Sequence, residues 1–179
     1  MKWMVASDIH GSAYYCEKML TAYRESGAEK LVILGDILYH GPRNDLPKDY
    51  APKKVIAMLN EVADELLCVR GNCEAEVDQM VLEFPVMAEY AVFYIGGTMY
   101  FATHGHKFNK ENPPCLKEGD VLLHGHTHVV ADELCKAKGP KGEYTYRYIN
   151  PGSVSIPKEN TGHGYVILTE DGVEFRSLE

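Results

Sequence analysis

Lys2-Trp3-Met4-Val5-Ala6-Ser7-Asp8-Ile9-His10-Gly11-Ser12 sets a short apolar run directly against a carboxylate and an imidazole. Trp3 to Ala6 reads as a strand buried on both faces, because no polar residue alternates with the apolar ones. A helix is expected after Gly11-Ser12, with Ser12 as the N-cap. Cys16, Met19, Leu20 and Tyr23 then recur at i, i+3, i+4 and i+7, and Gly27 marks the stop. The unit is a strand, a polar turn and an amphipathic helix.

The same unit returns along the first half. Leu31 to Leu34 is a second buried strand, followed by Gly35-Asp36 and a loop over 38–53 containing Pro42, Pro47 and Pro52. That loop is too long for a mere connector and is a candidate functional loop. Val55, Met58, Leu59, Val62 and Leu66 predict a second helix, and Leu67-Cys68-Val69 a third strand. Val77, Met80, Val81 and Phe84 predict a third helix.

From about residue 88 strands take over. Glu89–Ile95 and Thr98–Thr103 read as a hairpin across Gly96-Gly97, and Val121-Leu122-Leu123 as another apolar strand. Val129–Leu134 and Tyr144–Ile149 flank the turn Gly139-Pro140-Lys141-Gly142. Gly164–Thr169 and Val173–Arg176 pair across Asp171-Gly172. The expected fold class is α/β: a layered αββα sandwich of two mixed β-sheets flanked by helices. Periodicity alone leaves that layering open.

The chain has 179 residues, 45% hydrophobic and 25% charged, which suits one domain with a sizeable core rather than a disordered chain. The net charge of −8 argues against broad binding to nucleic acid, which needs Lys and Arg to displace counterions. A small phosphorylated substrate remains compatible, since bound cations reverse the field inside a cleft. No apolar run approaches the ~20 residues that span a bilayer, so no membrane partner is expected. No basic segment leading into an apolar stretch opens the sequence. Five cysteines, odd in number and without metal-finger spacing, fit reduced thiols and a cytoplasmic location.

The chemistry sits where the strands end. Asp8-Ile9-His10 follows the first strand, Gly35-Asp36 the second, and Arg70-Gly71-Asn72-Cys73-Glu74 the third. Later strands lead into His104-Gly105-His106 and His124-Gly125-His126-Thr127-His128. Crevices in α/β sheets lie beyond the carboxyl ends of strands, so these groups could converge. Asp oxygen and His nitrogen suit Mn, Fe, Zn or Ni better than Ca. The i, i+2 spacing of Asp8 with His10, and of His126 with His128, is expected to put both side chains on one side of an extended segment.

These motifs, in this order, resemble the metallophosphoesterase (calcineurin-like) superfamily. Ala6-Ser7-Asp8-Ile9-His10-Gly11, His40-Gly41-Pro42-Arg43-Asn44, Arg70-Gly71-Asn72-Cys73 and Asn150-Pro151-Gly152-Ser153-Val154-Ser155 are similar to its bacterial YfcE-type phosphodiesterase branch. The resemblance implies a single metallophosphoesterase domain over 1–179. It implies one metal held by Asp8, His10, Asp36 and His128, and a second by Asp36, Asn72, His104 and His126, with Asp36 bridging. Asp36, Asn72 and His104 would be closest to the reaction, and Arg43 and Cys73 are candidate substrate contacts. Manganese is the metal this branch implies; iron, zinc and nickel suit the same donors. The implied activity is hydrolysis of small phosphodiesters by a hydroxide held between the metals.

Cys73 stands where many superfamily members carry a histidine thought to assist the leaving group. A thiol with a reference pKa of ~8.5 is a poor substitute for imidazole. Protonation by water, or a good leaving group, is therefore expected.

His124 and His106 lie outside the ligand motif; His124 is expected to support it or to pack at the strand end, and His106 to support it or to be exposed. Arg43 suits bidentate phosphate recognition, whereas His163, between two glycines, is assigned no role. Two alternatives stand beside the phosphodiesterase: a phosphomonoesterase or nucleotide phosphatase, and a non-catalytic protein-interaction scaffold of the same fold. The scaffold predicts missing ligands, and all seven positions are filled. A homo-oligomer through an exposed edge strand stays open.

Overall fold

A computed structural model of the chain describes residues 1–178; Glu179, the last residue of the expected 1–179 domain, lies outside them. The first half runs β1 (Lys2–Ala6), α1 (Ala13–Ser26), β2 (Lys30–Ile33), α2 (Pro52–Asn60), β3 (Leu66–Cys68) and α3 (Glu76–Gln79). Seven strands follow: β4 (Tyr90–Ile95), β5 (Thr98–Thr103), β6 (Val121–His124), β7 (Val130–Gly139), β8 (Gly142–Pro151), β9 (Gly164–Thr169) and β10 (Gly172–Ser177).

They form two mixed sheets with helices outside, as expected. One has the order β10-β9-β1-β2-β3 and the other β4-β5-β6-β8-β7. In the first, β1, β2 and β3 run parallel; in the second, β5, β6 and β8 do. Each sheet therefore offers three carboxyl ends at one edge, where polar turns can meet.

Alternation explains the layers. Met4, Ala6, Leu31 and Ile33 pack under Cys16, Met19, Leu20 and Tyr23 of α1 and Val55 and Leu59 of α2. Val5 and Val32 point the other way, meeting Tyr100, Ala102, Val121, Leu123 and Ile149 of the second sheet. A strand covered on both faces has no room for polar residues, hence the unbroken apolar runs. On the far face of the second sheet, Phe101, Leu122, Tyr146 and Tyr148 are covered by Phe108 and Leu116 of the 105–118 segment.

Ser12 caps α1 by accepting from Tyr15 N–H at 3.3 Å, and Gly27 closes it in the left-handed conformation at φ 67°. The long loop is tied down at its far end. Ala13 N–H donates to Asp49 O, Ala51 N–H to Gly11 O, and Ser12 Oγ to Lys48 O. Pro52 lies outside this loop and opens α2, since a proline needs no partner for its nitrogen there.

Two helix expectations are corrected. The second helix stops at Asn60, so Val62 falls beyond it and Leu66 begins β3. The third forms only one turn, and Val77, Met80 and Val81 are exposed rather than core. Pro85 disfavours helical backbone at Phe84. The Gln79 side chain holds the non-helical path by donating to Leu82 O and Phe84 O and accepting from Val86 N–H.

Candidate metal centre

The pairing of β1 with β2 continues past both strands. Asp8 N–H donates to Gly35 O, His10 N–H to Asp36 O and Gly11 N–H to Ile37 O, at 2.8–3.1 Å. The two turns are thus zipped together. Glu74 adds the third, accepting from Asp36 N–H, Ile37 N–H and Gly71 N–H at 2.9, 2.7 and 2.5 Å. A Cβ on Gly71 would collide with Asp36 Oδ1, so only glycine permits this approach. The sequence places Glu74 in the third motif without a task; its burial beside three orphan amides supplies one.

Across the sheets, His126 N–H donates to Asp8 Oδ2 at 3.0 Å, and Ser153 Oγ donates to Asp8 O at 2.8 Å. Asn150 Nδ2 donates to Gly125 O at 2.9 Å, so the Asn150–Ser153 turn braces the His126 loop. The two bonds to Asp8 cross from one sheet to the other and fix the spacing between the two sets of turns.

Asp8, His10, Asp36, His126 and His128 all have positive φ, from 49° to 66°. This corrects the extended-segment reading of the two i, i+2 pairs. Left-handed turns aim the side chains, at a cost on the order of 1 kcal/mol per non-glycine residue that the surrounding bonds offset.

The side chains converge in two adjoining sets. His10 Nδ1–H donates to Tyr39 O at 2.7 Å, His128 Nδ1–H to Ile156 O at 2.7 Å and His104 Nδ1–H to Leu34 O at 2.6 Å. Each bond fixes the ring's orientation and turns Nε2 inward. In the first set, His10 Nε2 and His128 Nε2 are 3.2 Å apart, with Asp8 Oδ1 at 3.4 and 3.2 Å from them. In the second, His104 Nε2 lies 3.0 Å from Asn72 Oδ1 and 3.1 Å from His126 Nδ1. Asp36 Oδ2 stands between, 3.7 Å from His10 Nε2 and 3.5 Å from His104 Nε2. All seven expected ligands are present in these two sets.

Donor atoms about 2.0–2.2 Å from one ion sit roughly 3–3.6 Å apart. Both sets have that spacing. Asp8 Oδ1 is buried and makes no hydrogen bond, and facing lone pairs on His10 and His128 repel unless a proton or cation lies between them. The other oxygen of each aspartate is occupied: Asp8 Oδ2 accepts from Ser7 Oγ at 2.6 Å, and Asp36 Oδ1 from Cys73 N–H at 2.9 Å. The residues fit two ions sharing Asp36.

Without metal the pocket competes for protons. Burial works against the charge on Asp8, but His10, His104 and His128 hold its carboxyl well below the usual range. Burial likewise opposes the His104 imidazolium, yet Asp36 and Asp8 raise it to about 9. Burial and the charge on His104 push His126 down to about 4. One proton on His104 does part of what a cation would do.

The remaining candidates lie around this centre. Arg43 and Cys73 line a cleft of about 340 Å³ over His10, Asp36, Asn72, His126 and His128. Burial and the Asp36 carboxylate push the Cys73 thiol far up, which weakens it further as an acid. His124 stays out of the ligand sets; it stacks on Tyr148 at 4.5 Å and donates from Nδ1 to Gly125 O. The His106 ring is 5.5 Å from that of His104 and belongs to neither ligand set. His163, given no role from sequence, stacks on Tyr15 at 3.8 Å and donates to Val154 O, supporting the Ser153 turn. A wider hollow of about 510 Å³ between α1 and β10 holds none of these groups. Among the described residues no helix is long and apolar enough to cross a membrane.

Comparison with known proteins points the same way. Residues 1–172 match the calcineurin-like phosphoesterase superfamily domain. The chain is 50% identical over 171 residues to phosphodiesterase YfcE of Escherichia coli strain K12, covering 96% of this chain and 89% of the relative. A solved structure of the phosphoesterase Yfce from E. coli superposes with a TM-score of 0.91 at 47% identity, over 100% of this chain and 94% of that one. Vps29 of Entamoeba histolytica, solved with Zn²⁺, shares the fold at a TM-score of 0.56 and 16% identity, each chain covered completely.

Proposed function

Since the chain belongs to the calcineurin-like phosphoesterase superfamily and is a metal-dependent phosphoesterase, we propose that it hydrolyses small phosphodiesters at the Asp36-centred cleft. The single observation carrying this reading is Asp36 Oδ2, placed between His10 Nε2 and His104 Nε2 at the meeting of both ligand sets. Two bound divalent ions would supply Lewis acidity for the phosphoryl oxygens and bring the pKa of a bound water down to about 7.

The chain's own groups do the positioning. Asp8, His10, Asp36 and His128 would hold one ion, and Asp36, Asn72, His104 and His126 the other. Asn72 Nδ2 donates to Cys73 Sγ at 3.3 Å, which turns Asn72 Oδ1 toward the centre. Arg43 offers an anionic substrate a planar donor from the rim. Cys73 contributes bulk and a polar wall; leaving-group protonation then falls to solvent, favouring esters whose leaving alcohol is acidic.

Manganese is the proposed native metal on branch similarity, with iron, zinc and nickel tolerated by the same nitrogen and oxygen donors. All five cysteines are free, which supports a reducing compartment such as the cytoplasm. The filled ligand sets speak against a scaffold role.

The deciding assay loads purified protein with manganese and compares bis(4-nitrophenyl) phosphate with 4-nitrophenyl phosphate. The expected result is two ions per chain and higher kcat/KM for the diester. Higher kcat/KM for the monoester would move the reading to a phosphomonoesterase. No metal-dependent hydrolysis of either would sink it.

A further inference from the structure

The cleft carries more positive charge than a simple diester needs. Arg43 enters on the loop after β2, where the Cβ position of Gly41 lies 3.5 Å from Cys73 Sγ and Asn44 Nδ2 donates to His40 O at 2.8 Å. Lys158 enters from the segment after β8, its backbone N–H donating to His128 O at 2.9 Å. One cation therefore rises beside the Asn72–Cys73 turn and the other beside His128. Both are exposed, and both line the same cleft of about 340 Å³.

Neither has a counter-ion among the described residues. Among the described residues the ion pairs of other lysines and arginines are satisfied by Asp49, Glu89, Glu133, Asp132 and Glu174, and none includes Arg43 or Lys158. Their acidic neighbours in sequence do not fill the gap. Asp45 does not line this cleft, and Glu159 lines the adjoining hollow instead. Glu74 is turned away into its three backbone amides.

Asp8, Asp36 and a bound hydroxide cancel most of the charge of two divalent ions, leaving roughly +1 at the centre, enough for a diester. Arg43 and Lys158 raise the cleft to roughly +3. A diester with one negative charge leaves the rim cations unpaired. Long flexible cations exposed on a rim reach outward from the metals, so the charge they would meet lies away from the scissile phosphorus.

We propose that Arg43 and Lys158 select phosphodiesters bearing a second anionic group, a carboxylate or a phosphate, on the portion that leans over the cleft rim. This rests on the phosphodiesterase reading of the same site. Arg43 binds either anion through its planar fork, and Lys158 adds a point charge that tolerates either shape.

The test uses the manganese-loaded protein and three 4-nitrophenyl alkyl phosphates whose alkyl arm ends in a carboxylate, a phosphate or a neutral carboxamide. The carboxylate and phosphate esters should each exceed the carboxamide about tenfold in kcat/KM, chiefly through KM, and lose that advantage above about 0.5 M salt. Either anion alone showing the advantage also supports selection and identifies the source. Lys158→Met and Arg43→Met should each shrink the preference, and the double variant should bring it to about 1.

Calorimetric binding of the matching non-hydrolysable phosphonates should show the same preference without turnover. Binding preference with no hydrolysis of any ester would support the rim selection while sinking the phosphodiesterase reading. Hydrolysis of all three with equal kcat/KM and equal binding would overturn the rim selection and leave that reading intact. An anionic preference that survives in the double variant would overturn it as well.

Discussion

The two halves of the metal cradle share Asp36 and differ in almost everything else. Asp8, His10 and His128 of the first half are at most 3% exposed, and both histidines are locked by carbonyls. In the second half only His104 is comparably buried; Asn72 is exposed and His126 partly so. The first half is held by core strands and by the Ser153 turn. The second depends on two turns whose side chains face solvent. A ligand fixed before the ion arrives loses less entropy on binding, so the buried half should hold its ion more tightly and exchange it more slowly.

Removing the shared residue abolishes the distinction. Asp36→Asn should release both ions together and reduce kcat/KM on the order of 10³-fold or more. Metal analysis beside a bis(4-nitrophenyl) phosphate assay checks it; near-normal turnover with two ions retained would refute the bridge. The halves separate in the next variants. His126→Ala should leave one tightly held ion per chain, whereas His128→Ala should weaken the tighter one. During graded chelation of the wild type, one ion should leave well before the other. Simultaneous loss would break the asymmetry.

A smaller effect tests what ties the halves together. Glu74 bonds amides of the Asp36 turn and of the Gly71 turn that carries Asn72. Glu74→Gln keeps the shape and loses the charge-assisted bonds, so metal affinity should fall about 10–100-fold. The second ion should suffer more than the first, as isothermal titration with manganese would read. Equal losses at the two sites would mean that Glu74 serves the fold and not the spacing of the turns.

In both halves the sequence reveals which residues form the cradle and not how they meet. Asp8, Asp36 and Asn72 are legible because each follows an apolar run in a repeated strand–turn pattern, and composition is enough to flag them. The conformation that makes them converge is not legible. Positive φ at Asp8 and His10 arises from bonds to residues far along the chain, such as Ser153 Oγ to Asp8 O. The helix expected through Phe84 ends at Gln79 for a related reason: the apolar spacing carries no core face once Pro85 and the Gln79 side chain fix another path. Lys158 drew no notice in sequence, since only the turn that hangs it on His128 places it over the cleft.

The weakest expected effect concerns the metal-free protein, where His104 stands in for the missing charge. Its pKa of about 9 lies above the 6.5 of an unfolded chain, because Asp36 and Asp8 outweigh the cost of burying it. A raised imidazolium stabilises the fold fully below about pH 6.5, and that contribution disappears as the pH climbs through about 9. Asp8 and Asp36, both lowered, lose their contributions only in acid, outside this window. The chelated protein should therefore melt lower at pH 9.5 than at pH 6.5, by a few degrees if about 1 kcal/mol is involved. Manganese takes the place of that proton, so the loaded protein should gain stability over the same range while its affinity for the ion rises. Melting curves with and without chelator read both slopes at once. A chelated protein that melts higher toward pH 9.5 would show that His104 rests neutral, and that the cradle waits for its ion without a proton in place.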